Sequence, residues 1–493
     1  MKRIYRVFWS IVLLIAIAPP LPAQIVLKNT RELFVDDYLI DRLVQVIAKP
    51  GEPVSCGPAL KLDRPWEGKF SGAYVSVLFD GSRYRMYYRG TGLAKEVDKN
   101  VTCYAESDDG IHWNKPALNL YHVSGHPGNN IVLPGDPLLA THNLSVMYDN
   151  RPGVPAGERF KAVGGVASSP KRAVRGLYRY VSADGIHWRI KDSVPLFKDG
   201  YGMDSQNVLA WIPSENQYAI YLRTWTEDKP GDAKLLKGVR TIARSVSKDF
   251  IHWSQPQRMQ FGNTPLEDLY TNATLPYFRT PQLLIAMPFR FSPHASVLSE
   301  AEMLRYSIDK SMWNGVSDAV LMTSRGGNVY DRKFMQSFVR PGLDDRNWAA
   351  RSNIPAVGII PTGEKEISFF LTRAYGTPDC YLERMTLRTD GFASLHADYP
   401  EGYAITKLLQ LKGEKLTLNF STSSIGYVKL ILLDETGKEL PGYGAADALV
   451  LRGDRIDGEV RWKSGKSLAD VGTRPVKMKW VIRDADIYSF EVR

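Results

Sequence analysis

Four acidic residues stand just ahead of strand-like runs. Glu67 lies in Asp63-Arg-Pro-Trp-Glu-Gly68, Asp204 in Tyr201-Gly-Met-Asp-Ser-Gln-Asn207, and Glu267 with Asp268 in Pro265-Leu-Glu-Asp-Leu-Tyr-Thr-Asn272. A carboxylate in such a place either accepts backbone amides of a turn or, where two face a common space, does general acid and base work. Residues of other useful types stand nearby. His142 and Asn143 open a further strand-like run. Asn207 and Asn272 suit hydroxyl groups, and Arg325 and Arg351 suit a carboxylate or sulfate. Trp66 and Tyr270 offer aromatic faces, although most such rings pack sheets together. Asp36 and Asp37 form another acidic pair, but the run Val35-Asp-Asp-Tyr-Leu-Ile40 alternates as an ordinary strand does.

The elements that position these residues are announced by a repeated phrase. SDDGIHW occupies 107–113, SADGIHW 182–188 and SKDFIHW 247–253. Asp-Gly supplies a tight turn, after which Ile and Trp point to one face and His to the other. The phrase therefore reads as a hairpin between two outer strands. Asp109, Asp184 and Asp249 are its turn formers, and His112, His187 and His252 diverge from one another, so no metal site is expected of them. Fainter copies occur at Ser324-Arg-Gly-Gly-Asn328 and Arg388-Thr-Asp-Gly-Phe392. The third positions, 109, 184, 249, 326 and 390, are spaced by 75, 65, 77 and 64 residues. Such spacing predicts five four-stranded units in a radial repeat, a five-bladed β-propeller. A second feature recurs upstream of each copy: Gly72-Ala-Tyr-Val-Ser76, His142-Asn-Leu-Ser-Val146, Asp204-Ser-Gln-Asn-Val208, Tyr270-Thr-Asn-Ala-Thr274 and Arg351-Ser-Asn-Ile-Pro355. Each is expected to be the innermost strand of its blade, its start facing a central funnel.

Strand-like runs dominate throughout, including AYVSVLFD (73–80), RYRMYYRG (83–90), QYAIYLRT (217–224), QLLIAMPFRF (282–291) and EISFFLTR (366–373). The chain is read as all-β: a propeller over 24–393 followed by a β-sandwich over 394–493, with Arg31–Ile40 as one strand closing the ring. Residues 1–23 read as a signal peptide, with Lys2, Arg3 and Arg6 before an apolar run and Leu21-Pro-Ala23 at the cleavage context. The expected location is secreted or periplasmic, with no membrane contact after cleavage. Three scattered cysteines, Cys56, Cys103 and Cys380, suit neither a disulfide framework nor a zinc site and are expected to be buried. The net charge of +10 is spread without a basic run, which speaks against nucleic acid. It fits an anionic glycan partner and a simple solubility role equally.

The once-per-blade S-x-D-G hairpins, the Tyr-rich second strand Tyr84-Arg-Met-Tyr-Tyr-Arg89 and the appended sandwich resemble the five-bladed propeller glycoside hydrolases of families 43, 32, 68 and 130. The W-M-N-D-P-N-G and R-D-P motifs of family 32 are missing, so the resemblance is one of architecture. It implies a glycoside hydrolase cleaving poly- or oligosaccharides with a carboxylate acid/base pair in the funnel. Asp204 with Glu267 or Asp268 is then the expected pair, and Glu67 a third, tuning acid. Such hydrolases place an Asp where this chain has His142, which becomes a substrate-binding candidate with Asn143, Asn207, Asn272, Arg325, Arg351, Trp66 and Tyr270. No cofactor is implied, with a structural calcium left open. The alternatives are a non-catalytic glycan-binding propeller and a polysaccharide lyase with a Tyr/His pair.

Overall fold

The computed structural model describes residues 25–92, 100–123, 125–134, 143–165, 176–192, 194–198, 205–227 and 237–493. The N-terminal segment expected to direct export, and with it His142 and Asp204, lies outside the described residues. Strands dominate the rest, and Glu300–Arg305 is an α-helix of a single capped segment.

Among the described residues, antiparallel sheets follow one another along the chain in five groups, the fourth made of two three-stranded sheets. The first runs Ser76–Phe79, Tyr84–Gly90, Val101–Ser107 and Ile131–Leu133. The second is built on Ser145–Tyr148, Phe160–Gly164 and Gly176–Ser182, and the third on Val208–Ile212, Gln217–Trp225 and Arg240–Ser247. Runs such as Tyr-Ala-Ile-Tyr-Leu and Ile-Ser-Phe-Phe-Leu are apolar without alternation because both faces of these strands are covered. The fourth sheet is split. Pro288 brings no N–H to the ladder, so the segment expected as one strand becomes Thr280–Ala286 and Phe289–Ser292, each with its own partners. In the fifth, Glu366–Arg373 and Tyr381–Arg388 are joined by Val54–Lys61 from the start of the chain.

First strands of successive sheets touch in turn. Val146 N–H donates to Ser76 Oγ and Leu209 N–H to Ser145 Oγ, both at 3.2 Å. Ser205 Oγ donates to the Tyr270 carbonyl at 3.0 Å, and Ser317 Oγ to the Ser352 carbonyl at 2.6 Å. Val77 N–H then donates to the Val357 carbonyl at 2.7 Å, so the fifth sheet meets the first.

The repeated phrase is a turn that docks on the preceding sheet. Asp184 Oδ1 accepts from the amides of Ile186 at 2.9 Å and His187 at 2.8 Å, and Ser182 Oγ accepts from Gly185 N–H at 2.9 Å; the turns at Asp109 and Asp249 repeat the Asp contacts. Tyr87 Oη of the first sheet donates to the Gly185 carbonyl at 2.9 Å, and a Cβ at Gly185 would meet that hydroxyl. In the third copy Phe250 takes the glycine's place at φ 66°, and its ring packs on Tyr218 and Trp253. Trp113 meets Phe370 of the fifth sheet edge-on, and Trp188 meets Tyr87 likewise. The two faint copies behave alike: Arg244 of the third sheet donates to the Gly327 carbonyl at 2.9 Å, and Tyr277 of the fourth donates to Asp390 at 2.8 Å.

The C-terminal sheet centres on the long strands Leu416–Leu433 and Lys477–Val492. Thr30–Leu33, Ile40–Val44 and Ile47–Pro50 belong to it, and Ile25–Lys28 pairs with Leu409–Lys412 in parallel. Arg31–Ile40 is thus not one strand: Thr30–Leu33 and Ile40–Val44 both join the C-terminal sheet, and Val54–Lys61 is the N-terminal strand that pairs with the fifth sheet. Cys103 and Cys380 are buried as expected, whereas Cys56 is exposed on that strand.

Candidate functional site

In an antiparallel sheet the first strand begins where the second ends and the third begins. At that end, away from the repeated turns, the chain adopts left-handed backbone outside glycine at Tyr74, Asn143, Ala273, Arg351 and Asn353, with φ of 59°, 55°, 45°, 62° and 66°. Asparagine bears this readily, but Tyr, Ala and Arg each do so at a cost of about 1–2 kcal/mol.

A cluster of guanidinium groups and phenol rings lies among these residues. Arg89 ends the second strand of the first sheet. Its guanidinium lies 4.8 Å from the Tyr74 ring centre, and it donates to Asn143 Oδ1 at 3.0 Å, Tyr375 Oη at 2.5 Å and the Phe70 carbonyl at 3.1 Å. Three further guanidiniums approach the Tyr270 ring: Arg223 at 4.5 Å, Arg240 at 5.1 Å and Arg351 at 5.8 Å. Trp225 lies under Arg223 at 4.6 Å. Tyr74, Tyr270, Tyr375 and Arg223 are buried, whereas Arg89 and Arg351 are half-buried, so a wetted guanidinium rim stands over an aromatic floor.

Two of these guanidiniums have no carboxylate partner among the described residues. Arg240 is paired with Asp268 at 3.0 Å. Arg89 donates only to neutral acceptors, and Arg351 has no hydrogen bond or ion pair among the described residues. Burial pushes the Tyr270 phenol up, but Arg223, Arg351 and Arg240 outweigh it and hold the group below the usual phenol range. Tyr74 is displaced upward by burial and by Tyr270 beside it.

Next to the cluster a cavity of about 850 Å³ opens where the fourth sheet meets the loop carrying Trp348. Glu267, Asp268, Asp318, Arg290, Phe291 and Trp348 are among its walls. Arg290 reaches Glu267 Oε1 at 2.6 Å and both Asp318 oxygens at 2.9 and 2.6 Å, and Arg332 holds the other Glu267 oxygen at 2.6 Å. Asp268 uses only Oδ1, which accepts from the Arg240 backbone at 3.1 Å and side chain at 3.0 Å. Its Oδ2 has no partner among the described residues. Asp268 and Phe291 join the cavity to the cluster, since Arg240 lies 5.4 Å from the Phe291 ring and Phe291 is 6.1 Å from Tyr270.

The structure thus brings Glu267, Asp268, Tyr270, Arg351 and Asn143 together. Other expected residues lie elsewhere. Glu67 is fully buried, and Tyr88 Oη, Lys115 Nζ and the Arg64 amide donate to its oxygens at 2.7 to 2.8 Å. Trp66 is buried and donates to Asn130 at 2.8 Å. Asn272 donates to the Tyr221 carbonyl and accepts from Thr274 N–H, and Asn207 donates to the Ser205 carbonyl; both are buried. Arg325 belongs to a repeated turn, at the opposite end of its sheet, and is paired with Glu32 and Asp36. Asp37 is paired with Lys333. Asp204 directly precedes Ser205, whose hydroxyl meets the Tyr270 carbonyl.

Arg89, Arg223, Arg240, Tyr74 and Tyr375 were not anticipated. One signal for them is legible: an arginine closes the otherwise apolar second strand in Tyr-Tyr-Arg89, Tyr-Leu-Arg223 and Leu-Thr-Arg373.

No family model matches the chain, and no curated protein matches it. Among solved structures, an N-acetylgalactosamine deacetylase from F. plautii in complex with blood group B trisaccharide is similar at 11% identity and a TM-score of 0.45, over 71% of this chain and 97% of that one. A glycosyl hydrolase from Bacteroides ovatus gives 12% and 0.37, over 73% and 96%. An exo-β-1,3-galactanase from Phanerochaete chrysosporium with β-1,3-galactotriose gives 9% and 0.37, over 90% and 100%.

Proposed function

We propose that the protein is an exported glycoside hydrolase built on a five-bladed β-propeller, with its reaction centre where the first strands begin. The observation that carries this reading is the convergence of guanidinium and phenol side chains from several sheets beside a cavity that Asp268 lines. Five turns docked in sequence on the preceding sheets support the propeller, and the N-terminal segment supports export to the periplasm or medium.

Asp268 is a better partner for Asp204 than Glu267 is. Glu267 has both oxygens engaged by arginines, whereas Asp268 keeps one oxygen unengaged beside the cavity. One of the pair protonates the leaving oxygen while the other activates water or attacks the anomeric carbon. Glu267 positions Arg290 and Arg332. The test is reducing-end release from a panel of polysaccharides. Asp204→Asn and Asp268→Asn should each lower turnover by about 100-fold or more with melting unchanged; full turnover in Asp268→Asn removes that residue from the pair. A second reading is a glycan-binding propeller without turnover. It is favoured by the arginine partners that Glu267, Asp268 and Asp318 all carry, and retention of glycan by a wild type that releases no product would establish it.

A further inference from the structure

We infer that Arg89 and Arg351, set beside Tyr270 and Tyr74, form a binding site for an anionic substituent of a glycan, a uronate carboxylate or a sulfate ester. This rests on the glycan-active reading and specifies its substrate class. Guanidinium groups out of bulk water need a counter-charge, and a planar fork matches a carboxylate or sulfate with two parallel hydrogen bonds. Arg240 has such a partner in Asp268, but Arg89 finds only neutral acceptors and Arg351 none among the described residues.

The geometry gathers positive charge about one phenol: three guanidiniums lie within 5.8 Å of the Tyr270 ring. Tyr270 is held below its ordinary range despite burial, as expected of a phenol asked to share the charge of its neighbours. Arg351 also keeps a left-handed backbone, which directs it into the cluster at a conformational cost. The buried rings of Tyr74, Tyr270 and Trp225 form the floor beneath the guanidiniums. An arriving anion replaces the phenol as the source of negative charge, so ligand binding and Tyr270 ionisation oppose each other.

Asp204→Asn protein, slow to consume ligand, is run in native gels containing polygalacturonate, a sulfated galactan or neutral galactan. Retention by polygalacturonate alone identifies a carboxylate ligand and retention by the sulfated galactan alone a sulfate, and either supports the site. Adding Arg351→Asn, a residue that tolerates left-handed backbone, should weaken the retention by about 10- to 100-fold without changing melting. In the wild type, the phenol titration that disappears in Tyr270→Phe should move to higher pH when the retaining glycan is added. Equal retention by neutral galactan, no retention by either acidic polymer, or unchanged retention in Arg351→Asn overturns the site. Hydrolysis of a neutral glycan without acidic preference refutes this site and leaves the enzyme reading standing; acidic retention without product does the reverse.

Discussion

Glu67 and Asp184 show how two acidic residues of similar sequence context can differ in role. Glu67 is enclosed, and Lys115, itself 9% exposed, shares its charge between Glu67 and the more exposed Asp63. Glu67→Gln should therefore cost about 1–3 kcal/mol, because it leaves the nearly buried ammonium with Asp63 alone and the Tyr88 hydroxyl without its carboxylate. Thermal melting at pH 7 checks this, and loss of turnover at unchanged melting would instead make Glu67 catalytic. Burial pushes the Asp184 carboxyl up, but His187, the following amides and Ser182 hold it well below the usual carboxylate range, as their counterparts do for Asp109 and Asp249. A carboxyl lowered by folding stabilises the protein above its unfolded value, near pH 4, and the contribution is lost as pH falls through the folded value. Asp184→Asn should thus melt lower than wild type at pH 7, and the gap should narrow below about pH 4. A gap that widens there would contradict the hydrogen-bond account.

At the scale of elements, the repeated turn was legible because every copy solves the same local problem with the same side chains. Even the faint copies at 324–328 and 388–392 dock as the clear ones do. Which surface a turn docks on was not legible, since Tyr87, Arg179 and Arg244 lie in other units than the turns they hold. The candidate site was half legible for a related reason. Glu267, Asp268, Tyr270 and Arg351 sit at strand starts, where position alone points inward. Arg89 and Arg223 lie near the ends of largely apolar strands, and only the packing of one sheet on the next brings them alongside. Trp188 tests the docking. Its ring meets Tyr87 at 5.9 Å and its Nε1 donates to the Gly185 carbonyl at 3.0 Å. Trp188→Ala should cost about 2–3 kcal/mol, below the usual core value because the ring is half exposed. Urea unfolding at pH 7 measures it, and an unchanged midpoint would mean that the turn holds without its tryptophan.

At the scale of the molecule, the two ends of the chain are tied together, which no local pattern announces. Thr30 pairs with Val492 across almost the whole sequence, and Leu27, Phe34, Leu39 and Val46 complete the core of the C-terminal sheet. Arg31 extends the tie: buried itself, it reaches Asp390 in the last docked turn at 3.2 Å and also Asp457 and Glu491 of the C-terminal sheet. Residues 394–493, which read as a separate module, therefore lack four strands and part of their core. Without Thr30–Leu33 and Ile40–Val44, the edges of Lys477–Val492 and Gly402–Thr406 offer unpaired amides and bare apolar side chains. Expressed alone, 394–493 should aggregate or melt without a cooperative transition, and fusion to 25–52 through a flexible linker should restore one. A sharp melt from 394–493 by itself would overturn this dependence. In the full chain, Arg31→Met should lower stability by about 3 kcal/mol, because it leaves the buried Asp390 with Arg279 as its one cation among the described residues, and the hydroxyls of Tyr277 and Ser489 as its other donors. Were the five docked sheets and the C-terminal sheet independent, that substitution would shift only one of two transitions. Coupled as they are through Arg31 and Val54–Lys61, both should move together in a single unfolding curve.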